Sequence, residues 1–164
     1  RKEQISDFDN FLNKDFNFSL DKLNLPFEVQ EIVMQRLSEI EICLKHGAPL
    51  SVIFLCGSIL EAILLNAAAA NPDKFNTSES APKDKESKVK AFRDWTLSDL
   101  INVSYDIEFL DLDVYKFSHT LREFRNFIHP FQQSTLKFKP NIDTAKISLQ
   151  VLKAAIVDLT NKRC

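Results

Sequence analysis

The most constraining feature of the chain is a long apolar segment, Ala48 to Ala70, with a helix-starting Pro49 at its front and Asn71-Pro72 at its end. At about 1.5 Å per residue, a helix of this length could cross a bilayer. Glu61 near its middle, and the lack of a basic cluster beside either end, favour a buried central helix. We therefore predict a cytoplasmic protein that is not embedded in a membrane. A membrane-associated helical protein is the minor alternative.

A second helix precedes this segment, from about Pro26 to Gly47. Its apolar positions follow helical spacing and mark one face: Val29, Ile32, Val33, Leu37, Ile40 and Leu44. Because Pro49 comes only two residues after the helix-ending Gly47, the link is very short. The two helices should therefore form an antiparallel hairpin.

Three further helices are predicted in the second half of the chain. Thr96 and Asp99 have the spacing of a capping box. The next helix should begin near Asp111 or Asp113 and run to about His129, where Pro130 breaks or kinks it. The last follows Pro140, with Asp143 as its expected cap and an apolar stripe of Leu149, Leu152, Ile156 and Leu159.

These elements predict an all-α fold, an antiparallel bundle of four to five helices over residues 25–164. Residues 1–24, with Ile5, Phe8, Phe11 and Leu12 at helical spacing, are predicted as a short helix or arm. Residues 71–94 are rich in charged residues and serine and are predicted as a flexible loop.

Composition limits the possible functions. The chain has 14 Phe and only 2 Gly, and its net charge of -2 argues against a strongly basic nucleic-acid binder. Its three cysteines, Cys43, Cys56 and Cys164, include no Cys-x-x-Cys pair. The sequence therefore predicts neither a metal nor a cofactor.

The helix after Asp111 has two distinct faces. At about 100° per residue, an apolar stripe forms from Val114, Phe117, Leu121, Phe124 and Ile128. A neighbouring arc holds His119, Arg122, Arg125, Asn126 and His129. This arc is either an ordinary wet surface or a phosphate site, since arginine offers a planar donor fork and histidine can move protons near neutral pH.

The run Leu121-Arg122-Glu123-Phe124-Arg125-Asn126-Phe127-Ile128-His129-Pro130 resembles the signature of the higher-eukaryote-and-prokaryote nucleotide-binding (HEPN) superfamily. The segment Gly57-Ser58-Ile59-Leu60-Glu61-Ala62-Ile63-Leu64 resembles its central helix. The resemblance covers residues 25–162. It implies a helical bundle, commonly dimeric, of a superfamily in which many members are metal-independent ribonucleases of toxin, abortive-infection and other defence systems.

The resemblance also implies site residues. His129 would transfer a proton, an arginine would neutralise charge on the phosphoryl oxygens, and Asn126 would orient the histidine or a phosphate oxygen. Two arginines qualify: Arg125 is followed by Asn126 but has only three residues before His129, and Arg122 has six but is followed by Glu123. Glu61 and His119 are candidates for supporting roles, with Glu61 paired to one arginine or simply lying at a helix edge.

Two functions therefore compete. The first is an RNA-cleaving or RNA-binding domain of a bacterial defence or toxin-antitoxin system, acting as a homodimer that doubles the positive charge at its cleft. The second is a non-catalytic dimerisation or interaction module of a larger protein, with an antitoxin or another protein as partner.

Overall fold

The computed structural model describes residues 9–162 and shows an all-helical chain. The seven α-helices that we number are α1 Phe27–Lys45, α2 Pro49–Ala70, α3 Pro72–Thr77, α4 Leu97–Asp106, α5 Leu112–Arg125, α6 Pro130–Leu136 and α7 Ile142–Asn161. Short 3-10 turns span Leu20–Leu23, Phe92–Asp94 and Asn126–Ile128. Between residues 9 and 162 there is no strand, only an isolated bridge between Lys83 and Val89. Ile5, Phe8, Cys164 and the side chain of Ile128 lie outside the described part.

Helix α2 is the centre of the fold. It packs most extensively on α7 and α1, and also on α4 and α5. Its length and hydropathy are those of a membrane span, but 56% of its most apolar window is buried within the protein. This burial is expected for the core helix of a soluble protein and agrees with the prediction, whereas a cytoplasmic location stays a prediction.

The predicted hairpin of α1 and α2 is present. Gly47 adopts a φ of 71°, a left-handed conformation that glycine reaches without steric cost. The three residues between Lys45 and Pro49 therefore reverse the chain. Burial of Val33 and Ile40 on α1 fixes this helix against its neighbours.

Residues 71–94 differ from the predicted loop at both ends. Helix α3 forms here because the Phe75 ring is completely buried, where it contacts Phe92, Trp95 and Phe109. The hydrophobic gain from burying such a ring outweighs the polar composition of the segment. The predicted capping box of Thr96 and Asp99 is confirmed at the start of α4.

Helix α5, which carries the arginines, is joined to α7 at its start. The backbone N–H of Asp111 donates to the Asp158 carboxylate at 2.8 Å, and Lys162 pairs with the Asp111 carboxylate. Burial raises the pKa of Asp158 to about 6. These contacts place α5 between α4, α7 and α2.

Two helix boundaries differ from the prediction. Helix α5 ends at Arg125, and a 3-10 turn leads to an extended His129, because a residue before proline is disfavoured in the helical conformation. The cap of α7 is Asn141, whose side chain accepts the Thr144 N–H, rather than Asp143.

The described part of the N-terminal arm, residues 9–24, packs on the bundle. Residues 9–13 are helical, and the buried Phe11 ring lies 4.7 Å from the Phe117 ring of α5 between centroids. The Gln150 side chain of α7 donates to the Phe11 carbonyl. These contacts hold the arm against α5 and α7.

Candidate functional site

The side chain of Arg125, the last residue of α5, packs against α2 at Gly57, the one glycine of that helix. Its Nη1 is 2.8 Å from Oε2 of Glu61, and both side chains are about one third exposed (36% and 35%). A Cβ added at Gly57 would come within 2.8 Å of the Arg125 Cδ, which is too close for an ordinary contact. Gly57 therefore makes room for the arginine, and Glu61 holds its guanidinium at the edge of solvent.

Arg122 lies one turn earlier on α5, and its guanidinium has weaker polar contacts than that of Arg125. Its Nη2 is 4.0 Å from Glu123, whose side chain is 69% exposed, so this ion pair contributes little. Its Nε is buried and has no hydrogen-bond partner among the described residues. Arg122 thus keeps unused donors on a half-buried guanidinium.

His119 faces a different neighbour, helix α4. Its Nε2 is 2.9 Å from Oδ1 of Asn102, and its ring meets Tyr115 edge to face. Burial lowers the pKa of His119, the Arg122 charge lowers it further, and Glu123 opposes the shift. A lowered pKa favours the neutral imidazole at pH 7, so His119 is a hydrogen-bond partner of α4 rather than an added cation.

His129 and Asn126 lie beyond the end of α5. His129 is exposed, and its side chain makes no hydrogen bond or ion pair with residues 9–162. Its backbone N–H donates to the Asn126 carbonyl at 3.2 Å. Helix α5 ends at Arg125 and His129 is extended, so His129 does not continue the helical arc that the sequence predicted for Arg122, Arg125 and His129.

An apolar groove lies between the end of α5 and α6, and Asn126 is one of its lining residues. The rings of Phe124, Phe127 and Phe138 stack together, and Phe131 of α6 is 89% exposed at the rim. Leu136 is 65% exposed in the same groove. Large apolar side chains exposed together are typical of an interaction surface.

The sequence did not identify one charged residue of this region, Arg36, as a candidate site residue. Arg36 of α1 is half-buried, and its Nη1 donates to the Ser58 hydroxyl of α2. Spacing within α1 shows only a polar position, and the contact with Ser58 depends on how α1 and α2 pack. A tertiary contact of this kind is not encoded in local periodicity.

The described residues hold no group of three or more His, Cys, Asp or Glu side chains arranged to bind a metal. Comparisons of the chain with protein-family models, with curated proteins and with solved structures give no significant match. The resemblance to the HEPN superfamily and the roles it implies therefore stay predictions.

The seating of Arg125 on Gly57 can be tested by a double-mutant cycle. In the parent, Gly57→Ala should displace Arg125 from Glu61, which offsets the gain of about 1 kcal/mol that Ala brings to a helix interior. In an Arg125→Ala background the clash is absent, so Gly57→Ala should stabilise by about 1 kcal/mol. Urea unfolding measures both steps. Equal effects in the two backgrounds would contradict the close packing.

Proposed function

We propose that the chain is a HEPN-type helical domain that binds RNA and cleaves it without a metal ion, within a bacterial defence or toxin-antitoxin system. The observation that carries the proposal is the ion pair of Arg125 and Glu61 over Gly57. This contact joins the two segments that resemble the superfamily, which lie far apart in the sequence. Glu61 occupies one edge of the guanidinium and leaves its other donors for a phosphate.

The reaction is transfer of the phosphodiester to the neighbouring 2'-hydroxyl. The 2'-hydroxyl loses its proton as its oxygen bonds to phosphorus, and the 5'-oxygen gains a proton as its bond to phosphorus breaks. His129 transfers one of these protons, and water transfers the other. Arg125 neutralises the charge that develops on the phosphoryl oxygens, and Arg122 is the second cation for this role. The exposure of His129 and the partial exposure of the Arg122 side chain (31%) support these roles.

Asn126 is proposed to orient His129 or a phosphate oxygen. Its carbonyl already fixes the backbone of His129, and its exposed side chain has no hydrogen-bond partner among the described residues. His119 supports α5 from the α4 side through Asn102. A homodimer would place two such groups at one cleft, which raises the local positive charge of an acidic chain.

The second candidate function, a non-catalytic interaction module, is favoured by the apolar groove. Phe131 and Leu136 remain exposed although most large apolar side chains of the bundle are buried. A second copy of the chain, an antitoxin or another protein partner could cover this groove. Dimerisation through it is compatible with both functions.

Cleavage is tested with purified protein in EDTA on structured and single-stranded RNA. The parent should cleave, and His129→Ala should reduce the rate at least about a hundredfold because a proton-transfer group is lost. Arg125→Gln should give a similar loss. His46→Ala and Arg93→Gln change exposed residues outside the candidate site and serve as matched controls. A parent that leaves RNA intact, or a His129→Ala variant as active as the parent, would remove the enzymatic proposal.

Dimerisation is tested by light scattering at tens of micromolar protein. The parent should have the mass of a dimer, and Phe131→Ser should shift it toward monomer because the groove loses its most exposed ring. Ile42→Ser on α1, which replaces another exposed apolar residue, is the matched control. A monomeric parent would contradict the dimer, and a dimer that Phe131→Ser leaves unchanged would exclude the groove as its interface.

A further inference from the structure

Arg36 lies on the same part of α2 as Arg125, although it comes from another helix. Ser58, which accepts its hydrogen bond, precedes Glu61 by three residues on α2. Side chains three residues apart on a helix are neighbours on its surface, with about 5–6 Å between their Cβ atoms. The anchors of the two guanidinium groups are therefore adjacent.

The two arginines that contact Ser58 and Glu61 differ in whether a carboxylate neutralises their charge. Arg125 has a carboxylate partner in Glu61, whereas Arg36 forms no ion pair with any residue between 9 and 162. A guanidinium has five N–H donors, and the neutral Ser58 hydroxyl takes one of them. A half-buried, permanently charged group with unused donors is suited to an anion, since arginine matches phosphate geometry.

We propose that Arg36 binds a second phosphate of the RNA strand, beside the phosphate held by Arg125. This inference rests on the proposed function and extends it from one phosphate to two consecutive contacts along α2. Arg36 is a binding residue and has no part in proton transfer. Ser58 positions it by accepting a hydrogen bond from Nη1 and leaves the other guanidinium donors for a phosphate.

The test uses an RNA oligonucleotide with 2'-O-methyl groups, which can bind but lacks the attacking hydroxyl. Binding is followed by fluorescence anisotropy in EDTA at several salt concentrations. Arg36→Gln keeps a polar side chain but loses the charge, so binding should weaken about tenfold. The slope of log K against log salt should fall by about 0.7, the value for one phosphate of a single strand.

Two further variants make the result specific. Arg36→Lys should keep the parent slope because the charge remains, with affinity several-fold weaker because the planar fork is lost. Arg93→Gln removes a distant exposed cation and should change neither quantity. If Arg36→Gln melts at a lower temperature than the parent, Arg36→Lys is used for the comparison instead. Parent-like affinity of Arg36→Lys would then overturn the inference.

The outcomes separate this inference from the proposed function. Parent-like affinity and slope in Arg36→Gln, or an equal loss in Arg93→Gln, would overturn the role of Arg36 while RNA cleavage stands. Binding that depends on Arg36 without cleavage of unmodified RNA would support the phosphate site and remove the enzymatic proposal. A parent that does not bind the blocked RNA would overturn both.

Discussion

The candidate site depends on one close approach, that of the Arg125 side chain to the central helix at Gly57. Any larger residue at position 57 would place a carbon within 2.8 Å of the arginine. With glycine there, the guanidinium reaches Glu61 and is held half-buried rather than extended into solvent. A guanidinium held in this way loses little further freedom on binding a phosphate, and this pre-organisation favours affinity.

Local charge matters more here than the net charge of the chain. The net charge of -2 gives no long-range attraction for RNA, yet Arg36 and Arg125 both contact α2, and Arg122 lies one turn before Arg125 on α5. Glu61 is the one carboxylate that closely pairs with any of these three within residues 9–162. Partial burial lowers the screening of such charges, so the region can attract phosphate although the chain as a whole is acidic.

Much of the architecture could be predicted from sequence because it follows local rules. The α1–α2 hairpin and the buried central helix are encoded in Gly, Pro and apolar spacing, and the capping box is encoded in the spacing of Thr96 and Asp99. Helix α3 could not be predicted, since the burial of Phe75 depends on distant rings. The candidate site was likewise predicted only in part. Glu61 pairs with Arg125, which was one of the two predictions for Glu61. The predicted arc required α5 to continue to His129, which it does not, and Arg36 reaches the region only through the packing of α1 on α2.

The most direct measurement is a ¹H–¹⁵N spectrum of the arginine Nε–H groups during titration with a short 2'-O-methyl RNA. It reports on each guanidinium separately and requires no catalysis. If α2 presents these arginines to phosphate, the signals of Arg125 and Arg36 shift at saturating RNA while that of Arg93 stays in place. Unchanged Arg125 and Arg36 signals, or shifts of the same size for Arg93, would contradict the account.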